Sequence, residues 1–349
     1  MIVLSKEQVA AELARARTLA GAGGIVDVHV HATEVIEGAG GYDYDAVAGV
    51  YTHGGRAFAS PALTALRLHD DPGVGDGVPA ATKNQLSAAM FRQAYTATGP
   101  AVLRAHMELA GVRAALLLPV ARPTHAVGDQ MDVLRKCRDA GVGLHLAYCV
   151  PAGVAVDDVP AALEAAVADF GICAVKLHPN LSDIDLGTRA GRARAEAILR
   201  ASARLELPVI VHGGRSPILG DAPAAEHALL AKLDTIDWTA SGARVVIAHL
   251  GVYGCRAGEL AEHGARLSAM LARHERLMTD TSGLDHGVLA ALLGRIDLDR
   301  VLFGSDALYT PMWKSVVTLL RALEAAGRDS AVWFPALASG NARRLGLAP

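Results

Sequence analysis

The sequence predicts a single-domain (β/α)8 barrel, and three observations carry that prediction. Eight short apolar runs rich in Val, Leu and Ile recur along the 349 residues. Ala- and Leu-rich stretches with helical spacing separate most of them, such as "AALEAAVADFG" and "RARAEAILRASARLE", and strands alternating with helices imply a parallel sheet. Beyond the second run the repeat is about 30–35 residues, the length of one strand–crossover unit. Strands that are apolar nearly throughout belong to a sheet covered on both faces. The runner-up is an open doubly wound sheet, but no Gly-x-Gly-x-x-Gly turn follows the first strand.

The N-terminal stretch "MIVLSKEQVAAELARARTLAGAGG" spreads its charges and has no continuous apolar core. It predicts an amphipathic surface helix and not a signal peptide. The first strand, "GIVDVHVHA" (24–32), carries Asp27, His29 and His31 at alternating positions. Simple alternation places these three on one face and Val28 and Val30 on the other. Polar groups buried on an apolar strand need hydrogen-bond partners or a metal. His-x-His alone fits either a pair of structural histidines or two metal ligands.

A long insertion, 34–105, interrupts the first unit. It holds Tyr42, Tyr44 and Tyr51, three of seven tyrosines, with His53 and Arg56. Insertions of this length are functional or disordered, and a partly helical lid over the barrel mouth is expected, with a surface loop as the alternative. The remaining strands are "VRAALLLPV" (112–120), "VGLHLAYCV" (142–150), "ICAVKLHP" (172–179), "LPVIVHGG" (207–214), "ARVVIAHLG" (243–251), "RLMTDTSG" (276–283) and "DRVLFGSDA" (299–307).

Composition narrows the class. The chain is 52% hydrophobic and 20% charged, ample for a core, with a net charge of −3. It has no long basic run, which argues against nucleic acid or an anionic membrane surface as partner. The four cysteines, Cys137, Cys149, Cys173 and Cys255, stand far apart without a Cys-x-x-Cys pair, as buried thiols in a reducing compartment do. No apolar run approaches the roughly 20 residues that span a bilayer. A soluble, cytoplasmic protein with a small-molecule substrate is expected, with homodimerisation open.

In a barrel of this type the active site lies at the C-terminal ends of the strands. The polar residues there form one set: His29 and His31, Lys176 and His178, His212, His249 and Asp306. One such group means little, but this many ligand-type residues, each after an apolar strand, are hard to explain as core filling.

"DVHVH", "VKLHP", "VIVHGG", "VIAHLG" and "LFGSDA" together resemble the metal-dependent amidohydrolase superfamily, in its amidohydrolase-related branch of hydrolases and decarboxylases. The C-terminal "GNARRLGL" resembles that family's closing helix, so the likeness runs from about residue 24 to the end outside the insertion. The resemblance implies that His29, His31, His212 and Asp306 hold a divalent metal, expected to be zinc. Asp306 would also hold the attacking water. His249 would bind a second ion or act as acid/base in a one-ion enzyme. Lys176 sits where two-ion members carry a carbamylated lysine bridging the ions; with one ion it would be structural.

These roles agree with physical chemistry. Imidazole and carboxylate suit Zn²⁺, and a bound ion lowers the pKa of water towards about 7. Asp306 could then take the water's proton and return it to the leaving group. The expected activity is hydrolysis of an amide, ester or lactone in a small organic substrate. The alternative is decarboxylation or hydration of an unsaturated or aromatic carboxylic acid, with His249 moving the proton. His178, Arg215, Tyr253 and Tyr309 are candidate substrate contacts. For Arg215 a bidentate carboxylate clamp and a surface salt bridge compete, while the tyrosines could equally pack.

Overall fold

A computed structural model of the chain describes residues 2–31, 65–68, 100–121, 143–238, 241–307, 310 and 312–347. Eight parallel strands form one sheet in chain order: β1 (Ile25–Val30), β2 (Val112–Leu117), β3 (Leu144–Cys149), β4 (Ala174–Leu177), β5 (Val209–Val211), β6 (Val245–Ile247), β7 (Leu277–Asp280) and β8 (Val301–Leu302). The sheet curls until its edges meet. Val28 N–H donates to Phe303 O at 3.0 Å, Asp306 N–H to His29 O at 2.9 Å and His31 N–H to Ala307 O at 3.1 Å. The predicted barrel is present.

Alternation sorts the strand side chains into two layers. Val28, Leu116, Ala147, Ala174, Ile210, Val246, Met278 and Leu302, one from each strand, belong to a single cluster inside the barrel. Their neighbours Leu117, Leu146, Val175, Val209, Ile247, Leu277 and Val301 belong to the larger cluster between sheet and helices. The strands are therefore buried on both faces, which is why they read as continuous apolar runs.

The helices follow from their apolar spacing. α1 (Lys6–Ala20) buries Val9, Glu12, Leu13 and Ala16, an i, i+3, i+4, i+7 stripe, and starts with a capping box between Ser5 and Gln8. It is the expected amphipathic helix, and it packs on α7 (Met312–Ala325), where Glu12 pairs with Arg321. α2 (Pro100–Ala110) leads into β2, α3 (Val159–Phe170) into β4 and α4 (Arg189–Arg204) into β5. Thr188 caps α4 by accepting Gly191 N–H at 3.0 Å. Burying Ile198 and Leu199 on that helix stabilises the fold by roughly 1.5–3 kcal/mol each. α5 (Leu260–Arg273) and α6 (His286–Leu293) flank β7.

β1 corrects the alternation expected of it. Asp27 pairs with Ala115 but Val30 with Leu117, so three steps on β1 face two on β2. This is a β-bulge, which re-aims the side chains that follow it. Val26 and Val28 lie in the inner cluster, whereas Val30 lies in the outer one with Ile25. Val28 and Val30 therefore do not share a face. Asp27 braces the bulge, its Oδ1 accepting His29 N–H at 3.1 Å and Ser305 N–H at 2.9 Å.

The C-terminal "GNARRLGL" segment contains a short 3₁₀ turn, Ala342–Leu345. Ala342, Leu345 and Leu347 join the inner cluster. Asn341 Nδ2 donates to Leu298 O and Val301 O at 2.9 and 2.7 Å, tying the plug to the start of β8. Of the 34–105 insertion, the structure describes a strand, Ala65–Leu68, antiparallel to Ile2–Ser5, and the start of α2. Tyr42, Tyr44, Tyr51, His53 and Arg56 lie outside the described residues, and so does the expected lid. Cys149 and Cys173 are free thiols, while Cys137 lies outside the described residues. No helix among the described residues is long and apolar enough to cross a membrane.

Candidate active site

The polar residues named from the strand ends come together at the C-terminal mouth of the barrel. His29 lies on β1 and His31 just beyond it; Lys176 lies on β4 and His178 just beyond; His212 follows β5, His249 follows β6 and Asp306 follows β8. All seven are buried. His249 and Asp306 have φ of 59°, in the left-handed region. That costs a non-glycine residue on the order of 1–2 kcal/mol, and such strain concentrates at functional sites. Both are held there by backbone hydrogen bonds, His249 N–H to Asp280 Oδ1 at 2.9 Å and Asp306 N–H to His29 O at 2.9 Å.

Three side chains form a tight ligand group. His29 Nε2 and His31 Nε2 are 3.2 Å apart, and Asp306 Oδ1 lies 3.2 Å from His31 Nε2 and 3.6 Å from His29 Nε2. The far nitrogens explain the arrangement. His29 Nδ1 meets the carboxylate of Asp280 at 3.0 Å, and His31 Nδ1 meets Leu118 O at 2.8 Å. Carboxylates and carbonyls only accept, so each Nδ1 carries the proton and each neutral ring turns its Nε2 lone pair inward. Two lone pairs and a carboxylate oxygen converging at this distance repel one another unless a cation sits among them. Ligand atoms about 2.0–2.1 Å from a tetrahedral zinc stand about 3.3–3.4 Å apart. The donor set fits a divalent metal, with His29, His31 and Asp306 as the residues that would hold it.

The electrostatics agree. Burial drives His29 well below the usual histidine range, and the Lys176 and His249 charges add to this, so the ring is in the neutral form that metals require. Burial pushes Asp306 up, but the imidazoles around it, His31 first and then His249 and His29, outweigh this and hold the carboxyl below its ordinary range. Lys176 Nζ lies 3.3 Å from His29 Nε2. Burial lowers its ammonium to about 8, against the opposing pull of Asp280 and Asp306.

A second group, His29, His249 and Asp280, also lies within ligand reach of itself. Here a hydroxyl already fills the centre. Ser282 Oγ lies 3.0 Å from His29 Nδ1 and 2.8 Å from His249 Nδ1, and it hydrogen-bonds Asp280 Oδ1. His249 Nδ1 also meets Ser282 O at 2.9 Å. It therefore donates there, and Nε2 is the basic nitrogen. His249 groups with Asp280 and His29, not with the cluster of His29, His31 and Asp306.

His212, expected as a ligand, belongs to neither group. Its Nε2 donates to Arg215 O at 3.1 Å, leaving the lone pair on Nδ1. Its ring stacks on His178 at 4.1 Å and meets His249 edge-on at 4.9 Å. His178 Nδ1 accepts Leu181 N–H at 3.2 Å, and burial lowers both His178 and His212. Arg215 points its guanidinium at Glu259 and Glu226, with contacts of 2.7 and 3.1 Å, and this pairing lowers Glu259 to about 2. Between the two readings of Arg215, the geometry is that of the salt bridge. Tyr253 packs its ring 4.6 Å from His249. Gly283, at φ 64°, allows this approach, because a Cβ there would stand 2.7 Å from Asp306 Oδ2 and 3.1 Å from the Tyr253 ring. Tyr309 lies outside the described residues.

Asp280 and Ser282 went unnamed in the sequence reading. For Asp280 a signal is present: it ends "RLMTD" as a polar residue closing an apolar strand, in the same position as the others.

The amidohydrolase family model matches residues 26–345. The chain belongs to the amidohydrolase family. A search of curated proteins returns no match. Among solved structures, this chain is similar to a 5-carboxyvanillate decarboxylase from Novosphingobium aromaticivorans with bound manganese, at TM-score 0.57 and 14% identity over 94% of this chain and 99% of the other. It is also similar to an amidohydrolase from Burkholderia multivorans with bound zinc, at TM-score 0.53 and 17% identity, covering 93% and 99%. A 4-oxalomesaconate hydratase from Rhodopseudomonas palustris gives TM-score 0.51 and 17% identity, covering 92% and 95%. At these identities the likeness is one of fold.

Proposed function

We propose that this amidohydrolase-family protein is a metal-dependent enzyme that decarboxylates or hydrates a small unsaturated or aromatic carboxylic acid. The observation that carries this reading is the placement of His249. It stands outside the compact group of His29, His31 and Asp306, with its proton fixed on Nδ1 by Ser282 O and its Nε2 basic. That placement suits a proton-transfer group beside a one-ion centre. The decarboxylase and the hydratase among the structural relatives support the same substrate class.

His29, His31 and Asp306 would hold the ion, manganese or zinc. When bound, a divalent ion supplies Lewis acidity towards the substrate's oxygens. His249 Nε2 takes up a proton and delivers it to the carbon bearing the carboxylate. The C–C bond then breaks, its electron pair stays with the carbon skeleton, and CO₂ leaves. In hydration the same nitrogen moves a proton between water and the double bond. Tyr253, beside His249, would line the substrate's unsaturated face.

Hydrolysis of an amide, ester or lactone is the second reading, and Lys176 favours it. Its Nζ lies 3.3 Å from His29 Nε2, beside the residues that would hold the ion, and carbamylation would make it an anionic ligand there. The test uses manganese- and zinc-loaded protein against hydroxybenzoates and unsaturated di- and tricarboxylates, followed by CO₂ release and loss of ultraviolet absorbance. A parallel panel of lactones, esters and amides is followed by acid release. We expect turnover of an acid, with His249→Ala lowering kcat about 10²–10⁴-fold at unchanged metal content. Turnover confined to the ester, lactone or amide panel, with two ions per chain, would establish the hydrolase instead.

A further inference from the structure

One carboxylate at the end of β7 and one hydroxyl just beyond it touch both halves of the site. Asp280 Oδ2 accepts His29 Nδ1–H at 3.0 Å. Asp280 Oδ1 accepts His249 N–H at 2.9 Å, Ser282 N–H at 3.0 Å and the Ser282 hydroxyl proton. The Ser282 oxygen, its own proton directed at Asp280, then faces the Nδ1–H of both His249 and His29, at 2.8 and 3.0 Å. Every proton in this unit has an acceptor. Asp280 and Ser282 are both fully buried, so no solvent can substitute for either.

From this geometry we infer that Asp280 and Ser282 are a shared positioning pair, locking the metal-ligand His29 and the proton-transfer His249 into one hydrogen-bonded unit. The inference rests on the role proposed for His249. Asp280 acts on His29 directly and on His249 through its backbone N–H and the Ser282 hydroxyl. When His249 gains a proton at Nε2, its Nδ1–H bond strengthens against an oxygen already polarised by the Asp280 carboxylate. A buried network of this kind works only when every member is satisfied. Gly304, just beyond β8, makes room for it: a Cβ there would stand 2.9 Å from His29 Cβ, 3.0 Å from Ser282 Cβ and 3.3 Å from Asp280 Cγ.

Two variants separate the two arms. Asp280→Asn places an amide N–H against His29 Nδ1. It should move the His29 proton to Nε2 and weaken Zn²⁺ binding about 10–100-fold, as loss of a ligand's outer partner does. Both effects are read without substrate, by a chromophoric chelator and by ¹H–¹⁵N spectra of histidine-labelled, metal-free protein. Ser282→Ala leaves the His29–Asp280 bond intact, so Zn²⁺ affinity should fall less than in Asp280→Asn. With the acid that wild type turns over, kcat should fall about 10–100-fold at unchanged KM. A purely structural Ser282 would lower Tm and leave kcat alone. The inference is overturned if Asp280→Asn keeps both the Zn²⁺ affinity and the His29 Nδ1–H signal. It is also overturned if Ser282→Ala keeps full kcat while His249→Ala abolishes turnover. If His249→Ala itself keeps full turnover, the proposed function fails, and the chelator and spectral measurements still decide the His29 arm.

Discussion

His29 and His31 face each other Nε2 to Nε2 at 3.2 Å, with Asp280 and Leu118 O holding their opposite ring nitrogens. Neutral imidazoles so arranged repel, and the repulsion turns to attraction once a cation enters. The protein should bind one equivalent of Zn²⁺ or Mn²⁺. His31→Ala should weaken that binding by more than the roughly 10–100-fold seen on losing an outer partner. Stripping the metal should lower Tm, because an ion held at about 100 times its Kd adds about 2.7 kcal/mol of stability. Elemental analysis with chelator-treated melts checks both. Full metal content in His31→Ala would remove the ligand group.

Lys176 gives the metal site a pH dependence. Its ammonium, lowered to about 8 by burial, is a cation beside a cation below that pH and neutral above it. Zn²⁺ affinity should therefore rise with pH up to about 8 and level off above it. Lys176→Met should flatten the step and bind more tightly at neutral pH, at one ion per chain. Chelator competition across the range reads the slope. A drop in ion count in Lys176→Met would instead indicate a bridging carbamate.

Arg215 pairs with Glu259 and Glu226 at a partly exposed position. Exposed pairs of this kind contribute about 0.2–1 kcal/mol. Arg215→Ala should therefore cost no more than about 1 kcal/mol in urea melts and leave KM where it was. A raised KM at unchanged kcat would mark uniform binding of substrate by Arg215.

His106 on α2 is lowered to about 4 by burial. A histidine depressed in the folded state binds fewer protons than it does unfolded. Its contribution to stability is thus fully present above the unfolded value of about 6.5 and is lost as pH falls towards 4. Urea melts of metal-free protein between neutral and mildly acid pH should show this loss. His106→Leu should reduce it by on the order of 2 kcal/mol.

Much of the site was legible as a list. His29, His31, Lys176, His178, His212, His249 and Asp306 each follow a recognisable apolar strand, and a parallel barrel brings all such ends to one mouth. Asp280 obeys the same rule, but "MTDTSG" carries no histidine, and a lone carboxylate at a strand end means little by itself. Ser282 was hidden for a different reason: a serine two residues past a strand has no signature until the backbone turns it.

The sequence by itself determined the barrel, its strand order and the identity of the polar residues at its mouth. Period-two burial and strand–helix alternation are local properties, written into runs such as "VIVHGG" and "VIAHLG". The tertiary structure decided which of those residues work together. The β1 bulge, a pairing slip against β2, separates the faces of Val28 and Val30. The left-handed turns at His249 and Asp306 depend on hydrogen bonds from β7 and β1. His212 is set apart by Arg215 O, and His29 is coupled to His249 by Asp280 and Ser282. Each of these depends on contacts between segments far apart in the chain. Directions and distances of about an ångström, which decide ligand from base, come only from that assembly.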